Sequence, residues 1–202
     1  MRSAKIISYL FHPLLMPLFG VFLIFNFGQE NYFLIPLSVQ KITYQIIFGF
    51  TLALPILCLI ALKYSHQIKN FELKSQEERR LPYVITAVFF TLAYASLKFI
   101  SPNSFPIIQF LLGATISLLL VMLINLEFKI SAHTTGIGGI TGLFTGVGFK
   151  IHVDLHLLIM SLFFISGCVA YARLHLKAHR PMEVYAGFFL GFLSELIVVL
   201  FV

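Results

Sequence analysis

From Phe105 to Leu126 the chain runs without one ionisable side chain, and six other stretches of comparable length are nearly as bare. An apolar run of about 18 to 22 residues is what a helix rising about 1.5 Å per residue needs to cross roughly 30 Å of hydrocarbon. The stretches lie at approximately 6–27, 44–64, 83–100, 106–126, 134–149, 155–172 and 184–202. Hydrophobic residues make up 59% of the 202 and charged residues 11%, against about 45–50% and 25% in a soluble domain. A water-soluble fold could not hide that much apolar surface. The expectation is all-α: a polytopic transmembrane helix bundle of about six to seven spans, forming one integral membrane domain over 1–202.

Punctuation between the runs agrees. Ser101-Pro102-Asn103-Ser104-Phe105-Pro106 reads as a tight turn, and Tyr32, Tyr44, Tyr64, Tyr83, Tyr171 and Tyr185 fall near the ends of runs, as an aromatic belt would. The basic start followed by an apolar stretch has no small-residue cleavage site after Phe27 and Gly28, so a retained first span is expected. His12, Pro13 and Pro17 are expected to kink that span or split it into a re-entrant piece, because proline removes a helix donor. Gly138, Gly142 and Gly146, spaced by four, and Gly187 with Gly191, predict helices whose backbones approach closely. A nucleotide loop at Gly136-Ile137-Gly138-Gly139 lacks the flanking strand it requires. Cys58 and Cys168 both lie inside apolar runs, as buried small hydrophobes rather than a disulfide.

Three polar segments interrupt the runs: 66–82, 127–133 and 173–183, each separated from the next by two spans. They must therefore emerge on one membrane face. They carry Lys69, Lys74, Arg79, Arg80, Lys129, Ser131, His133, Arg173, His175, Lys177, His179, Arg180 and Glu183, which is most of the ionisable chemistry. Each abuts a helix start, where unpaired amides and the helix dipole favour an anion such as phosphate. Ser131 suits the N-cap of the fifth span. Pro181 suits the first turn of the seventh, which leaves His179 just outside that helix and Glu183 within its reach. The formal charge of +6 sits mostly in these loops, and nothing else supports a nucleic-acid partner.

A histidine held by an acid, a second histidine, arginines and a serine together suit phosphoryl transfer through a phosphohistidine. Arginine forks match phosphate oxygens, and the acid fixes the tautomer of the nucleophile. The second histidine can protonate the leaving group and then activate water.

These residues resemble the type 2 phosphatidic acid phosphatase superfamily. Its third motif is Ser-Arg, five residues, His, three residues, Asp; here Ala172-Arg173, five residues, His179, three residues, Glu183 fits the spacing. Its second, Pro-Ser-Gly-His, is similar to Ile130-Ser131-Ala132-His133. Its first, Lys, six residues, Arg-Pro, departs most: this chain has Lys74, five residues, Arg80-Leu81-Pro82. Positions six apart do not share a helix face, so the lysine's role falls to Lys74, Arg79, Lys69 or none of them.

The resemblance covers about 66–202 as a phosphatase-like core, with 1–65 as N-terminal spans. It implies His179 as nucleophile, Glu183 as its orienter and His133 as general acid and base, with Arg173, Arg80, Ser131 and Lys74 holding phosphate. No metal and no cofactor is implied. The implied substrate is a phosphorylated lipid: phosphatidic acid, phosphatidylglycerol phosphate, a polyprenyl diphosphate or phosphorylated lipid A. A catalytically silent lipid-binding relative of the same fold is the alternative, and a small transporter a third reading if Glu195 lined a water-filled pathway. Otherwise Glu195 is expected to hydrogen-bond a neighbouring helix.

His152 and His156 flank Asp154 and could pair on a metal from the opposite face. Orientation has two opposed indications in a bacterial inner membrane. Of 14 Lys and Arg, all but Lys41, Lys98 and Lys150 fall on the proposed catalytic side, which the positive-inside rule puts in the cytoplasm. The resemblance implies the periplasmic side, and the expectation follows it.

Overall fold

The computed structural model describes residues 1–27, 35–68, 70–71, 75–102 and 104–202. Tyr32, Lys69, Lys74 and Asn103 lie outside the described residues. The protein is 83% helical with no strand among the described residues. Six segments are long and apolar enough to cross a membrane: Arg2–Phe27, Leu37–Tyr64, Gln76–Ile100, Phe105–Ile124, His156–His175 and Pro181–Phe201.

Each interruption has a chemical cause. The first segment divides into α1 (Arg2–Leu10), a 3-10 turn at Pro13–Leu15 and α2 (Met16–Phe27). His12 is extended, as the residue before a proline must be, and its Nδ1 accepts from the Leu14 amide at 3.3 Å. The second segment divides into α3 (Leu37–Ile47), a π-helical turn at Phe48–Ala53 and α4 (Leu54–Tyr64). Pro55 offers no amide to the carbonyl one turn back, which widens the ladder there, and Thr51 Oγ1 donates to the Ile47 carbonyl at 2.8 Å.

α5 (Gln76–Ile100) starts several residues before the apolar run at 83. Ser75 caps it by accepting from the Glu78 amide at 3.2 Å, and Glu77 and Glu78 lie in its first turn, where they suit the dipole. Part of the polar stretch 66–82 is therefore helix, which fixes where Arg79 and Arg80 can point. α6 (Phe105–Ile124) follows the expected turn, closed by the Ser104 amide on the Ser101 carbonyl at 3.0 Å.

α7 (Ala132–Ile151) is the glycine- and threonine-rich helix at the centre of the bundle, with Ile137, Ile140, Leu143 and Phe144 buried. α8 (His156–His175) and α9 (Pro181–Phe201) complete the structure. The glycines act as their spacing predicts. A Cβ at Gly138 or Gly142 would collide with the Phe188 or Phe192 carbonyl oxygen of α9, and one at Gly191 with the Thr135 carbonyl oxygen of α7. The close α7–α9 seam joins the helix that starts at Ser131 to the helix that starts after His179.

Glu195 corrects an expectation. It is 1% exposed, wedged against Gly113 of α6 and Gly139 of α7, and neither carboxyl oxygen has a hydrogen-bond partner among the described residues. Glycine carries no side-chain donor, and helical amides are already bonded, so the facing helices have nothing to give it. An unpartnered buried polar group costs about 1–3 kcal/mol. Glu195→Leu is therefore expected to raise the thermal midpoint of the detergent-solubilised protein. A lower midpoint would mean that Glu195 makes a stabilising contact after all.

Candidate active site

Three polar segments meet at one end of the bundle, joined by hydrogen bonds. Ser131 N–H donates to the Glu183 carbonyl at 3.1 Å, Lys129 Nζ to the Ala178 carbonyl at 3.0 Å, and Asn125 Nδ2 to the Gln76 carbonyl at 3.1 Å. Arg79 reaches the Ile130 carbonyl at 3.3 Å.

His179 is delivered by the way α8 ends. Lys177 adopts a left-handed conformation, φ 52°, with its amide on the Leu174 carbonyl and the Ala178 amide on the Arg173 carbonyl. This is a Schellman termination, with lysine where glycine is usual. The chain then reverses into α9 at Pro181, so His179 stands just before that helix and Glu183 in its first turn. His179 Nδ1 lies 2.6 Å from Glu183 Oε2, and the His179 side chain is only 2% exposed. An ionised carboxylate can only accept, so Nδ1 carries the proton and Nε2 presents its lone pair.

Arg79, Arg173 and Lys129 all act electrostatically on His179. Burial first, and then these charges, push the His179 imidazole below its ordinary range, against the opposing pull of the Glu183 hydrogen bond. Burial and the Arg79 charge likewise push the Lys129 ammonium down, while Glu183 holds it up.

Arg80, an expected phosphate ligand, is exposed, whereas Arg79 is buried and hydrogen-bonded to Tyr83. Neighbouring residues on a helix point about 100° apart, so only one of the two can face the site, and the Ser75-capped start of α5 selects Arg79. Tyr83 thus supports that arginine instead of anchoring an interface. Lys74 lies outside the described residues. Lys129, given no role from the sequence, is the lysine found beside Glu183; its place two residues before Ser131 was the available signal.

Ser131 occupies the N-cap position of α7 but makes no capping bond, contrary to expectation. Its fully buried Oγ has no partner among the described residues. His133 lies near enough to His179 and Arg173 to interact with both and is hydrogen-bonded to the Ser8 backbone.

The N-terminal segment is the component that sequence spacing missed. Ser8 Oγ accepts from Arg173 at 3.2 Å, so one residue of α1 touches both His133 and Arg173. The His12 ring meets that of His133 edge to face at 5.5 Å. The break at His12-Pro13 was the only visible hint, since contacts spanning most of the chain leave no local pattern. His175, by contrast, is exposed and stacks on Tyr171 at 5.5 Å.

On the α7–α8 side, His156 Nδ1 and Asp154 Oδ1 pair at 2.7 Å, both well exposed, and no third His, Cys, Asp or Glu joins them among the described residues.

Compared with protein-family models, with curated proteins and with solved structures, the chain matches none. What the site can do follows from its own geometry. A buried neutral imidazole with one nitrogen fixed by a carboxylate, beside three cations, an unpartnered hydroxyl and a second imidazole, suits nucleophilic attack on a multiply charged anion.

Proposed function

We propose that this chain is an integral membrane phosphatase that hydrolyses a lipid phosphate or diphosphate through a phosphohistidine at His179. The observation that carries the reading is the buried His179–Glu183 pair, with His179 within electrostatic reach of Arg79, Arg173 and Lys129. The resemblance in motif spacing at Arg173, His179 and Glu183, and at Ser131 and His133, supports it independently.

In the first step Nε2 of His179 attacks phosphorus, the N–P bond forms and the P–O bond to the lipid breaks. Burial and the Arg173 charge keep His133 neutral in the free site, so it takes up a proton as the anionic phosphate binds beside it and then gives that proton to the departing oxygen. Glu183 holds the Nδ1 proton and offsets the positive charge that the phosphorylated ring acquires. In the second step water attacks phosphorus, His133 takes the water proton, the N–P bond breaks and inorganic phosphate leaves. Arg79, Lys129, Arg173 and the Ser131 hydroxyl hold the three equatorial oxygens, whose charge is greatest in the transition state. Metal ions have no part in this scheme.

Detergent-purified protein with a chelator present is expected to release inorganic phosphate from phosphatidic acid, phosphatidylglycerol phosphate or a polyprenyl diphosphate. No release from any of them by the folded protein would favour a silent lipid-binding relative. The reading also puts the site on the periplasmic face of a bacterial inner membrane. Sealed right-side-out vesicles would then hydrolyse an impermeant short-chain phosphate added outside; activity confined to inverted vesicles would place it in the cytoplasm.

The acid limb of kcat/KM reports the free enzyme's essential base. Because His179 is held below its ordinary value, it stays neutral and nucleophilic at acidities where a free imidazole, near 6.5, is already protonated. The acid limb is expected below that value. Arg79→Gln removes a like charge and is expected to move it upward. A limb at or above 6.5, or a downward move, would assign the base elsewhere.

A further inference from the structure

Outside the charged site, α1 and α8 border an open, shallow apolar groove of about 310 Å³, lined by Ile7, Phe163, Phe164, Gly167, Cys168 and Tyr171. Its floor is open at Gly167, where an added Cβ would meet nothing within 4 Å, and Phe164 is 74% exposed at its rim. We infer that this groove takes one hydrocarbon tail of the lipid phosphate whose headgroup binds at Arg173, an inference that rests on the phosphatase reading.

Two features tie the groove to the site. Ile7 and Tyr171 both line it, and Ser8, one residue beyond Ile7, is bonded at 3.2 Å to Arg173, two residues beyond Tyr171. The groove therefore ends where the phosphate-binding cations begin. Its length also fits. From Phe163 to Tyr171 a helix rises about 12 Å, close to the roughly 15 Å that one leaflet contributes to a 30 Å hydrocarbon core. A tail lying along α8 at this depth would bring its headgroup to the level of Arg173, two residues beyond Tyr171.

The lining is apolar except for the phenol of Tyr171, so nothing in the groove selects a polar ligand. Selection would come from its two ends acting together: cations for the phosphate, and an apolar trough for the tail. Short-chain phosphates would gain only the first.

Cys168 lies in the groove wall, which allows a test that needs no turnover. In a Cys58→Ser background, alkylation of Cys168 by N-ethylmaleimide is followed in the detergent-purified full-length protein. Three additions are compared: a non-hydrolysable long-chain lipid phosphonate, a four-carbon phosphonate and neutral long-chain diacylglycerol. The long-chain phosphonate is expected to slow labelling about fivefold to tenfold, and the other two much less, because headgroup and tail bind together. Equal protection by all three, or none by the long-chain phosphonate, would overturn the assignment. Equal protection by diacylglycerol and the long-chain phosphonate would also overturn it, since the groove would then hold any bilayer tail. As a second readout, Gly167→Phe fills the open floor and is expected to raise KM for a long-chain phosphate relative to a short-chain one by about tenfold. An unchanged ratio would count against the groove. Failure of the phosphatase reading looks different: the unsubstituted protein would release no phosphate from either chain length, whatever the labelling shows.

Discussion

His179→Asn is expected to lower phosphate release from lipid phosphates by about a thousandfold or more while the protein remains folded in the membrane. The size of the effect follows from the geometry. The Glu183 contact at 2.6 Å engages Nδ1 and leaves Nε2 with its lone pair, within electrostatic reach of Arg79, Arg173 and Lys129. Asn is shorter and offers no nucleophilic nitrogen, yet it can still hydrogen-bond Glu183, so the loss should be chemical rather than structural. Glu183→Gln is the graded companion. It keeps the contact but removes the charge that offsets the phosphorylated ring, and a smaller loss, about tenfold to a thousandfold, is expected. Both are measured as kcat in detergent, with thermal midpoints recorded alongside. Full activity in His179→Asn would remove His179 from its role.

Gly191→Val is expected to do comparable damage from a distance. A Cβ at Gly191 would overlap the Thr135 carbonyl oxygen, a backbone atom that cannot swing aside. α7 and α9 would have to part, and the seam between them is what holds Ser131 and His133 against His179 and Glu183. Overpacking of this kind costs about 1–3 kcal/mol, and a displacement of about 1 Å between reacting groups costs about a hundredfold in rate. The thermal midpoint should fall and activity should drop by at least that factor. Gly49→Ala is the control, because nothing lies within 4 Å of the added Cβ. Near-normal stability and activity in Gly191→Val would show that the α7–α9 approach does not position the site.

The parts of the molecule legible in the sequence are those written in local periodicity. Apolar run lengths mark the membrane helices, and a spacing of four glycine positions marks the α7–α9 seam. His179 and Glu183, one helical turn apart beside Pro181, are placed together by the geometry of a helix start. Where the signal is a matter of phase, reading it is harder. Arg79 and Arg80 are neighbours, and only the capping of α5 by Ser75, three residues before Glu78, decides which one turns inward. Contacts between distant segments leave no periodic trace. Ser8 and Arg173 are 165 residues apart, and their hydrogen bond depends on how α1 lies against α8. Glu195 is a different case: the cost of an intramembrane acid argues for a partner, but the helices that face it present glycine.

The central claim is that phosphate passes through His179 Nε2. It is tested most directly by mixing the purified protein with a radiolabelled lipid phosphate, quenching in alkali within milliseconds, and mapping the labelled peptide by mass spectrometry. The account predicts one phosphoryl group on His179, stable to alkali, lost in acid and absent from His179→Asn. Turnover with no phosphoprotein at any quench time, or with the phosphoryl group on another residue, would contradict it.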